Sequence, residues 1–205
     1  MKIDYVDLKQ QWLTERKDLL PIIDKVLSTG KFIGGEEVKK FENNIKQITN
    51  TKYSVSLNSG TDALVIALTL LGVKKGDEVI TPPNSFIASA SCISHIGAKP
   101  VFVDVEDDLN IDPNLIEAKI TKKTKAIIAV HLTGKMAKMD KITKIAKRYN
   151  IKVIEDAAQS IGSKYNNQPA GSFGSVGCFS AHPLKNLNAF GDSGYLVTNN
   201  KIISS

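Results

Sequence analysis

The stretch that decides the fold is YSVSLNSGTDALVIALTLLG (residues 53–72), which has the pattern of one strand followed by one helix. Alternating apolar residues up to Leu57 predict the strand, and the residues after Ser59 return to apolar at helical spacing. Ser59 and Asp62 form the S-x-x-D pattern of a capping box, which fixes the first helical turn. The expected buried face of this helix consists of Ala63, Leu64, Ile66, Ala67 and Leu70.

The same succession recurs along the rest of the chain. Six further strands are predicted in EVITP (78–82), PVFVDV (100–105), AIIAV (126–130), KVIED (152–156), VGCFSA (176–181) and GYLVTN (194–199). Between them, one helix is expected to begin with Asp112 as its cap and Pro113 in its first position. Another is expected behind a cap at Asp140, with Ile142, Ile145, Ala146 and Tyr149 on one face. Short apolar strands alternating with helices predict an α/β fold, in which helices sandwich a mostly parallel sheet of seven strands.

The first 50 residues have a different pattern, which predicts an N-terminal helical segment ahead of the α/β domain (51–205). One helix is expected in ERKDLLPIIDKVLSTG, stopped by Gly30, and a second helix is expected from Glu36. The apolar stripe of the first helix consists of Leu19, Ile22, Ile23, Val26 and Leu27.

Composition excludes several classes of function. The net charge of +6 is spread over lysines along the chain, and aromatic residues make up only 6%, which argues against nucleic-acid binding. Cys92 and Cys178 lack the C-x-x-C spacing, so we expect reduced, packed thiols rather than a disulfide framework. No apolar run approaches the roughly 20 residues that cross a bilayer, and the N-terminus lacks a secretory signal pattern. We therefore expect a cytoplasmic protein without a membrane partner.

Parallel sheets bind ligands at the carboxyl ends of their strands, so the residues that follow each strand are the candidates for function. After the first strand, Gly60 and Thr61 open a helix whose N–H groups and dipole favour a phosphate group. The alternative is a well-capped helix with a glycine in its turn. The segment is neither a P-loop nor G-x-G-x-x-G, which argues against ATP and NAD.

Three other strand ends carry residues that are candidates for ligand binding or catalysis. Phe86 follows a proline-stiffened turn and either stacks on a flat ring or belongs to the core. Asp156 ends an apolar strand, with Gln159 nearby, and either caps a following helix or faces a cation in a ligand. Ser180 offers a hydroxyl near the end of its strand, and Lys185 is either a solvated charge or a partly desolvated amine that attacks a carbonyl.

Together, these strand ends offer a phosphate site, a stacking aromatic ring, a carboxylate and an amine. Pyridoxal 5′-phosphate (PLP) requires this set, because it carries a phosphate group, an aromatic ring with a basic nitrogen, and an aldehyde. The residues therefore predict a PLP site, without any metal ligand.

Five segments, NSGTDALVIAL, GDEVITPPNSF, GAKPVFVDV, VIEDAAQSIG and CFSAHPLKN with GDSG, resemble the DegT/DnrJ/EryC1/StrS sugar aminotransferases, which are PLP enzymes of fold type I. The resemblance runs from about Val6 to Asn199. It implies that Lys185 holds the cofactor covalently, that Asp156 pairs with the ring nitrogen, and that Gln159 lies on the side of the ring's 3-oxygen. It further implies that Gly60, Thr61 and Ser180 bind the phosphate and that Phe86 stacks on the ring.

The resemblance also implies an activity. An amino donor, glutamate by family habit, gives its amino group to a nucleotide-linked keto sugar in amino-sugar and polysaccharide biosynthesis, with Lys185 as the general base. A related group of dehydratases has histidine at this position, so Lys185 argues against that reaction. Gly191-Asp192 in the next turn favours amination at C3, by resemblance. The family also implies a homodimer.

The sequence departs from the family in three respects. Ser193 stands where members commonly have glycine. Ala181 and His182 stand where members often have aromatic residues, and His182 is expected to be a packed histidine. His131, by contrast, lies in a segment that matches the family, without an assigned catalytic role. The family continues into a smaller C-terminal domain, so we expect this chain to be the PLP-binding large domain of a longer protein. The alternative is a truncated, non-catalytic homologue that binds the cofactor or a partner.

Overall fold

The computed structural model describes residues 6–204, and the chain divides into one compact unit up to Phe41 and a second from Glu42 onwards. Both predicted N-terminal helices are confirmed as α1 (Leu8–Leu27) and α2 (Glu36–Thr49). Helix α1 begins earlier than its apolar pattern suggests, because the Asp7 carboxylate accepts the N–H of Gln10 and caps it. None of the α1 residues is buried, so its predicted apolar stripe remains at least partly exposed. The division between residues 50 and 51 stays a prediction.

The second unit contains a seven-stranded sheet and a small hairpin. The strands in chain order are β1 (Tyr53–Leu57), β2 (Glu78–Thr81), β3 (Lys99–Phe102), β4 (Thr124–Val130), β5 (Lys152–Asp156), β6 (Lys164–Tyr165), β7 (Gln168–Pro169), β8 (Val176–Ser180) and β9 (Gly194–Thr198). The sheet order is β1-β9-β8-β5-β4-β2-β3, and β6 and β7 pair with each other as a separate two-stranded sheet. All seven predicted strands lie in the sheet. The hairpin was not predicted, because each of its strands has only two residues.

The sheet is mostly parallel, as the pattern of strands and helices predicts. Parallel pairing joins β3 to β2, β2 to β4, β4 to β5 and β5 to β8. The exception is β9, which runs antiparallel to both β1 and β8. Strand β4 is buried along almost its whole length, as expected for a strand covered on both faces.

The remaining helices are α3 (Gly60–Leu70), α4 (Ala88–His95), α5 (Pro113–Ile116), α6 (Met139–Tyr149) and α7 (Lys201–Ser204). Helices α3 and α4 pack in one core cluster with apolar residues of the central strands. Asp112 caps α5 as predicted, by accepting the N–H of Asn114. The buried face of α3 is Ala63, Leu64, Ala67 and Leu68, so the prediction was wrong for Leu70, which is 48% exposed. The buried stripe is rotated toward Leu68 because α3 lies against β8 and β9.

Helix α6 buries Ile142, Ile145 and Ala146 as predicted, but its start differs from the expectation. The N-cap position is Lys138, and the carboxylate of Asp140 accepts the Tyr165 hydroxyl at 2.7 Å. Tyr149 is also largely exposed, with its hydroxyl donating to Glu117. A tertiary contact has therefore replaced the local cap that the sequence pattern suggested.

Cys92 and Cys178 are free and buried, which confirms the prediction of packed thiols. Burial raises the pKa of the Cys92 thiol to about 12. Within residues 6–204, every helix is too short or too polar to cross a membrane.

Candidate active site

A cavity of about 540 Å³ lies at the carboxyl ends of β4, β5 and β8, where the parallel strands end at one edge of the sheet. Its volume is typical of small-molecule sites. All seven predicted site residues line it, namely Gly60, Thr61, Phe86, Asp156, Gln159, Ser180 and Lys185. The structure thus brings together residues that are up to 125 positions apart in the sequence (185 − 60).

The first turn of α3 forms one wall of the cavity. Ser59 caps the helix, its Oγ accepting the N–H of Asp62 at 3.0 Å, which confirms the predicted cap. The first backbone bond of the turn runs from Ala63 N to Ser59 O at 3.1 Å, so the N–H groups of Gly60 and Thr61 precede it and are available to an anion. A Cβ on Gly60 would lie 2.8 Å from the Ser180 Cβ, so glycine is needed for this close approach.

Asp156 is the buried carboxylate of the cavity, with only 7% of its surface exposed. The residues after β5 form turns rather than a helix, which excludes the interpretation of Asp156 as a helix cap. Its Oδ2 accepts the Ser89 hydroxyl at 2.7 Å, and its Oδ1 accepts the N–H of Ala158 at 3.3 Å. Burial raises the pKa of Asp156, while these two hydrogen bonds and the nearby Lys185 act in the opposite direction.

Lys185 lies in the loop after β8, where its N–H donates to the carbonyl of His182 at 2.8 Å in a tight turn. The residue is partly buried at the cavity wall, and its positive charge stabilises the ionised form of Asp156. Within residues 6–204 its ammonium group has neither an ion pair nor a hydrogen bond. A lysine in this setting differs from a solvated surface charge, because it borders a cavity and faces a buried carboxylate.

Phe86 and Ser180 offer unused groups to the same cavity. Phe86 is 66% exposed although it is a large apolar residue, which excludes the interpretation that it belongs to the core. The Ser180 Oγ accepts the N–H of His182 at 3.2 Å, so its own proton is free to be donated to a ligand.

Gln159 is oriented by a neighbouring loop. Its Oε1 accepts the N–H of Thr133 at 2.8 Å, which fixes the orientation of the amide and leaves the NH₂ group as a donor. Thr133 has a left-handed backbone, with a φ of 56°, so the loop is held in an uncommon conformation at this contact. Gln159 therefore presents a hydrogen-bond donor, as a contact with a ring oxygen requires.

Sequence reasoning missed the role of Glu155, the neighbour of Asp156 on β5. Its fully buried carboxylate accepts four hydrogen bonds, from the N–H groups of Gly171, Phe173 and Gly174 and from Nε2 of His131. The available signal was the pair of consecutive acidic residues in an apolar strand. Because successive side chains of a strand point to opposite faces, one of the two had to enter the interior.

The two histidines near the site have different surroundings. His131 is buried beside the cavity, and its Nδ1 accepts the N–H of Ala137 at 3.3 Å, so Nε2 carries the proton that Glu155 accepts. The side chain of His182 is 45% exposed and lines the cavity, so the expectation of a packed histidine was wrong. Its Nδ1 accepts the N–H of Leu184 at 3.1 Å.

A family model described as the DegT/DnrJ/EryC1/StrS aminotransferase family matches residues 14–205. The chain belongs to this family. Curated relatives include a pleiotropic regulatory protein of Geobacillus stearothermophilus, 46% identical over 97% of this chain and 54% of its own length. Another is the UDP-2-acetamido-2-deoxy-3-oxo-D-glucuronate aminotransferase of Pseudomonas aeruginosa, 43% identical over 96% of this chain and 55% of its own length. The chain thus spans about half the length of these relatives.

Solved structures of the family share the fold. S. venezuelae DesV superimposes with a TM-score of 0.94 at 39% identity, over 98% of this chain and 55% of that chain. The ntda protein of Bacillus subtilis, solved with bound cofactor PMP, gives a TM-score of 0.88 at 38% identity, over 93% of this chain and 43% of that chain. The sheet and its helices therefore have the architecture of PLP-dependent aminotransferases, as predicted.

The residues of the cavity fit PLP. The helix start at Gly60 suits a phosphate, the exposed Phe86 suits a ring, and the buried Asp156 requires a cationic neighbour such as a ring nitrogen. Lys185 supplies the amine that the aldehyde requires. In residues 6–204, no group of three or more histidine, cysteine, aspartate or glutamate side chains is arranged to hold a metal ion.

Proposed function

We propose that this chain forms the cofactor-binding part of a PLP-dependent aminotransferase, which moves an amino group from a donor such as glutamate to a nucleotide-linked keto sugar. The observation that carries the proposal is the meeting of an unpaired lysine and a buried carboxylate in one cavity, beside the first turn of α3.

The proposed roles of the residues follow from their surroundings. PLP supplies, when bound, an aldehyde and an electron-withdrawing ring. Lys185 would hold the aldehyde and, once released, carry the proton that moves during amino exchange. Asp156 would keep a negative charge beside the ring nitrogen, and the fixed NH₂ group of Gln159 would donate to a ring oxygen.

Other residues that line the same cavity would hold the phosphate and the ring. The N–H groups of Gly60 and Thr61 and the hydroxyl of Ser180 supply three donors to a phosphate group, at the positive end of the α3 dipole. Phe86 would cover one face of the ring, which keeps water away from it.

The substrate class is inferred from relatives. The Pseudomonas aeruginosa relative is named for a 3-oxo sugar on UDP, and an Acidithiobacillus ferrooxidans relative, 45% identical over 96% of this chain and 53% of its own length, for UDP-N-acetyl-3-dehydro-alpha-D-glucosamine. We therefore propose that the acceptor is a nucleotide-linked sugar with its carbonyl at C3, which agrees with the Gly191-Asp192 turn.

The proposal is tested by adding PLP to the purified chain and recording its visible absorbance. We expect a cofactor absorption band and, after borohydride reduction, a mass label on Lys185. Lys185→Ala should abolish the covalent label, whereas Lys164→Ala, a change of an exposed lysine on β6, should leave it intact. An unchanged spectrum and label in Lys185→Ala would refute the assignment.

A second measurement separates an enzyme from a binding protein. We expect glutamate to yield 2-oxoglutarate when the PLP-loaded chain receives a UDP-linked 3-keto sugar. A chain that binds PLP on Lys185 but forms no 2-oxoglutarate would contradict the catalytic proposal and favour the non-catalytic homologue.

We also propose that the protein forms a homodimer. Four large apolar residues in the two segments that border the cavity, Phe86, Ile87, Leu184 and Phe190, are more than half exposed. Apolar side chains concentrated in this way are typical of protein interaction surfaces.

A further inference from the structure

Two serine hydroxyls connect the cavity with the buried side of Asp156. Ser85 lines the cavity and is partly exposed, and its Oγ lies 2.7 Å from the Oγ of Ser89. Ser89, on α4, is only 1% exposed, and its Oγ lies 2.7 Å from Oδ2 of Asp156. Neither serine had a predicted role.

The direction of both hydrogen bonds follows from proton counting. An ionised carboxylate can accept hydrogen bonds but cannot donate them, so the single hydroxyl proton of Ser89 must be donated to Asp156. The hydroxyl of Ser85 must then donate to the oxygen of Ser89. Two donors in a row polarise one another, so the second bond strengthens the first.

We propose that Ser85 and Ser89 are positioning residues, which keep Asp156 ionised and fix the rotation of its carboxyl group for a cationic ring nitrogen. Ser89 holds Oδ2 while the N–H of Ala158 holds Oδ1, so both oxygens have a defined place. The inference rests on the proposed function for the identity of the ligand. The effect of the serines on Asp156 does not depend on it.

The electrostatics of the site support this role. Burial raises the pKa of Asp156, and the hydrogen bond from Ser89 is the largest single influence that opposes it. The N–H of Ala158 and the charge of Lys185 contribute less. The titratable and charged groups around Asp156, from all the elements packed against it, are Cys92, His131, Glu155, Cys178 and Lys185.

The direct test is the titration of Asp156 in the cofactor-free chain, followed by ¹³C NMR of the aspartate carboxyl carbons and assigned with Asp156→Asn. We expect Ser89→Ala to raise the pKa of Asp156, and Ser85→Ala to raise it by a smaller amount. Ser91→Ala, which changes an exposed serine of the same helix, should leave it unchanged. If Ser89→Ala fails to fold, the pKa of Asp156 in Ser85→Ala, a change of a partly exposed residue, tests the inference instead.

A titration of Asp156 that is the same in the wild type, Ser89→Ala and Ser85→Ala would overturn the inference. This holds even if Ser89→Ala lowers the stability of the chain, because a purely structural role would change stability without moving the titration.

In PLP titrations monitored by absorbance, we expect the dissociation constant at neutral pH to rise by roughly tenfold in Ser89→Ala.

The pH dependence of PLP binding gives a further check. Affinity should fall as the pH drops through the pKa of Asp156, so in Ser89→Ala it should be lost at a higher pH than in the wild type. A wild-type chain that binds no PLP would contradict the proposed function alone, since the NMR titration would still decide the role of the serines. Equal pH dependences in the two proteins would contradict the inference.

Discussion

Glu155 and Asp156 are consecutive residues of β5, but their carboxylates lie on opposite faces of the strand and have different hydrogen-bond partners. Glu155 accepts four hydrogen bonds and organises the turn at residues 171–174, so its charge is satisfied within the protein. Asp156, at the wall of a cavity, accepts two hydrogen bonds from the described part of the chain. The same residue chemistry therefore serves structure on one face of the strand and, by our proposal, ligand binding on the other.

Asp156→Asn should make the cofactor-free chain more stable at neutral pH. Because burial raises the pKa of Asp156, its protonated form stabilises the fold below the unfolded pKa, and this stabilisation is lost as the pH rises through the folded value. Asparagine keeps the shape without the charge. In urea unfolding, the free energy of unfolding of Asp156→Asn should exceed that of the wild type at pH 7, and the difference should disappear near pH 3.

The control for this prediction is Asp140→Asn. The hydroxyl of Tyr165 lowers the pKa of Asp140, which is the opposite direction, and this carboxyl is mostly exposed. We therefore expect a small loss of stability at neutral pH. A gain in Asp140→Asn equal to that in Asp156→Asn would show that burial of Asp156 is not the cause.

Glu155→Gln should destabilise the chain by about 3 kcal/mol or more, because an amide NH₂ would face donors that now meet a carboxylate oxygen. Glu117→Gln is the matched control. Glu117 pairs with Arg148 at the surface, so its change should cost about 1 kcal/mol or less. Chemical denaturation at neutral pH measures both, and equal losses would contradict the structural role of Glu155.

At the scale of elements, the contact between the start of β9 and the start of α3 positions the proposed phosphate site. A Cβ on Gly194 would lie 2.2 Å from the carbonyl carbon of Ser59 and 2.4 Å from the nitrogen of Gly60. These are backbone atoms, which cannot move aside without shifting the helix. The glycine at position 194 therefore allows the helix N-terminus to reach the edge of the sheet.

Gly194→Ala should lower the free energy of unfolding by about 3 kcal/mol or more and weaken PLP binding, because the added methyl group displaces the first turn of α3. Gly191→Ala tests the same loop without the clash, since nothing lies within 4 Å of its added Cβ. Denaturation and PLP titration of both variants measure the effects. A Gly194→Ala chain as stable as Gly191→Ala would contradict this account.

The elements were predictable where their signals are local. Apolar runs give the seven sheet strands, and Ser59 and Asp112 cap their helices as expected. The predictions failed where a residue distant in sequence determines the contact. The carboxylate of Asp140 was predicted to cap α6 but accepts the hydroxyl of Tyr165, and the buried side of α3 depends on where β8 and β9 lie. The bonds of Glu155 to residues 171–174 likewise join segments that no local pattern connects.

At the scale of the whole molecule, the strand order places the ends of β4, β5 and β8 side by side. The sequence predicted that ligand-binding residues would follow the strands, and all seven indeed line one cavity. Local patterns contain no information about which strands are neighbours, so the strand order was not predictable. The meeting of these residues was predicted from the carboxyl-end rule for parallel sheets and from their matching chemistry, and the resemblance to a family pointed the same way. The roles of these residues stay predictions until the variants above are measured.

The proposed homodimer yields a prediction at the same scale. Ile87→Asp places a charge on a residue that is 67% exposed beside the cavity, so it should shift the chain toward the monomer. Leu115→Asp changes an exposed leucine on α5 and should leave the association unchanged. Analytical ultracentrifugation distinguishes the two, and equal sedimentation of both variants and the wild type would contradict a dimer through this surface.

The antiparallel strand β9 has a consequence for the order of events during synthesis on the ribosome. Among residues 6–204, strand β1 has β9 as its sole neighbour in the sheet, although 136 residues separate Leu57 from Gly194 in the chain (194 − 57 − 1). A nascent chain that has not yet exposed β9 outside the exit tunnel leaves β1 without a hydrogen-bonding neighbour, and α3 without part of the surface it packs on. The first strand of the sheet to be translated is thus among the last to be paired, and until β9 is available its unpaired backbone is open to chaperones and to aggregation.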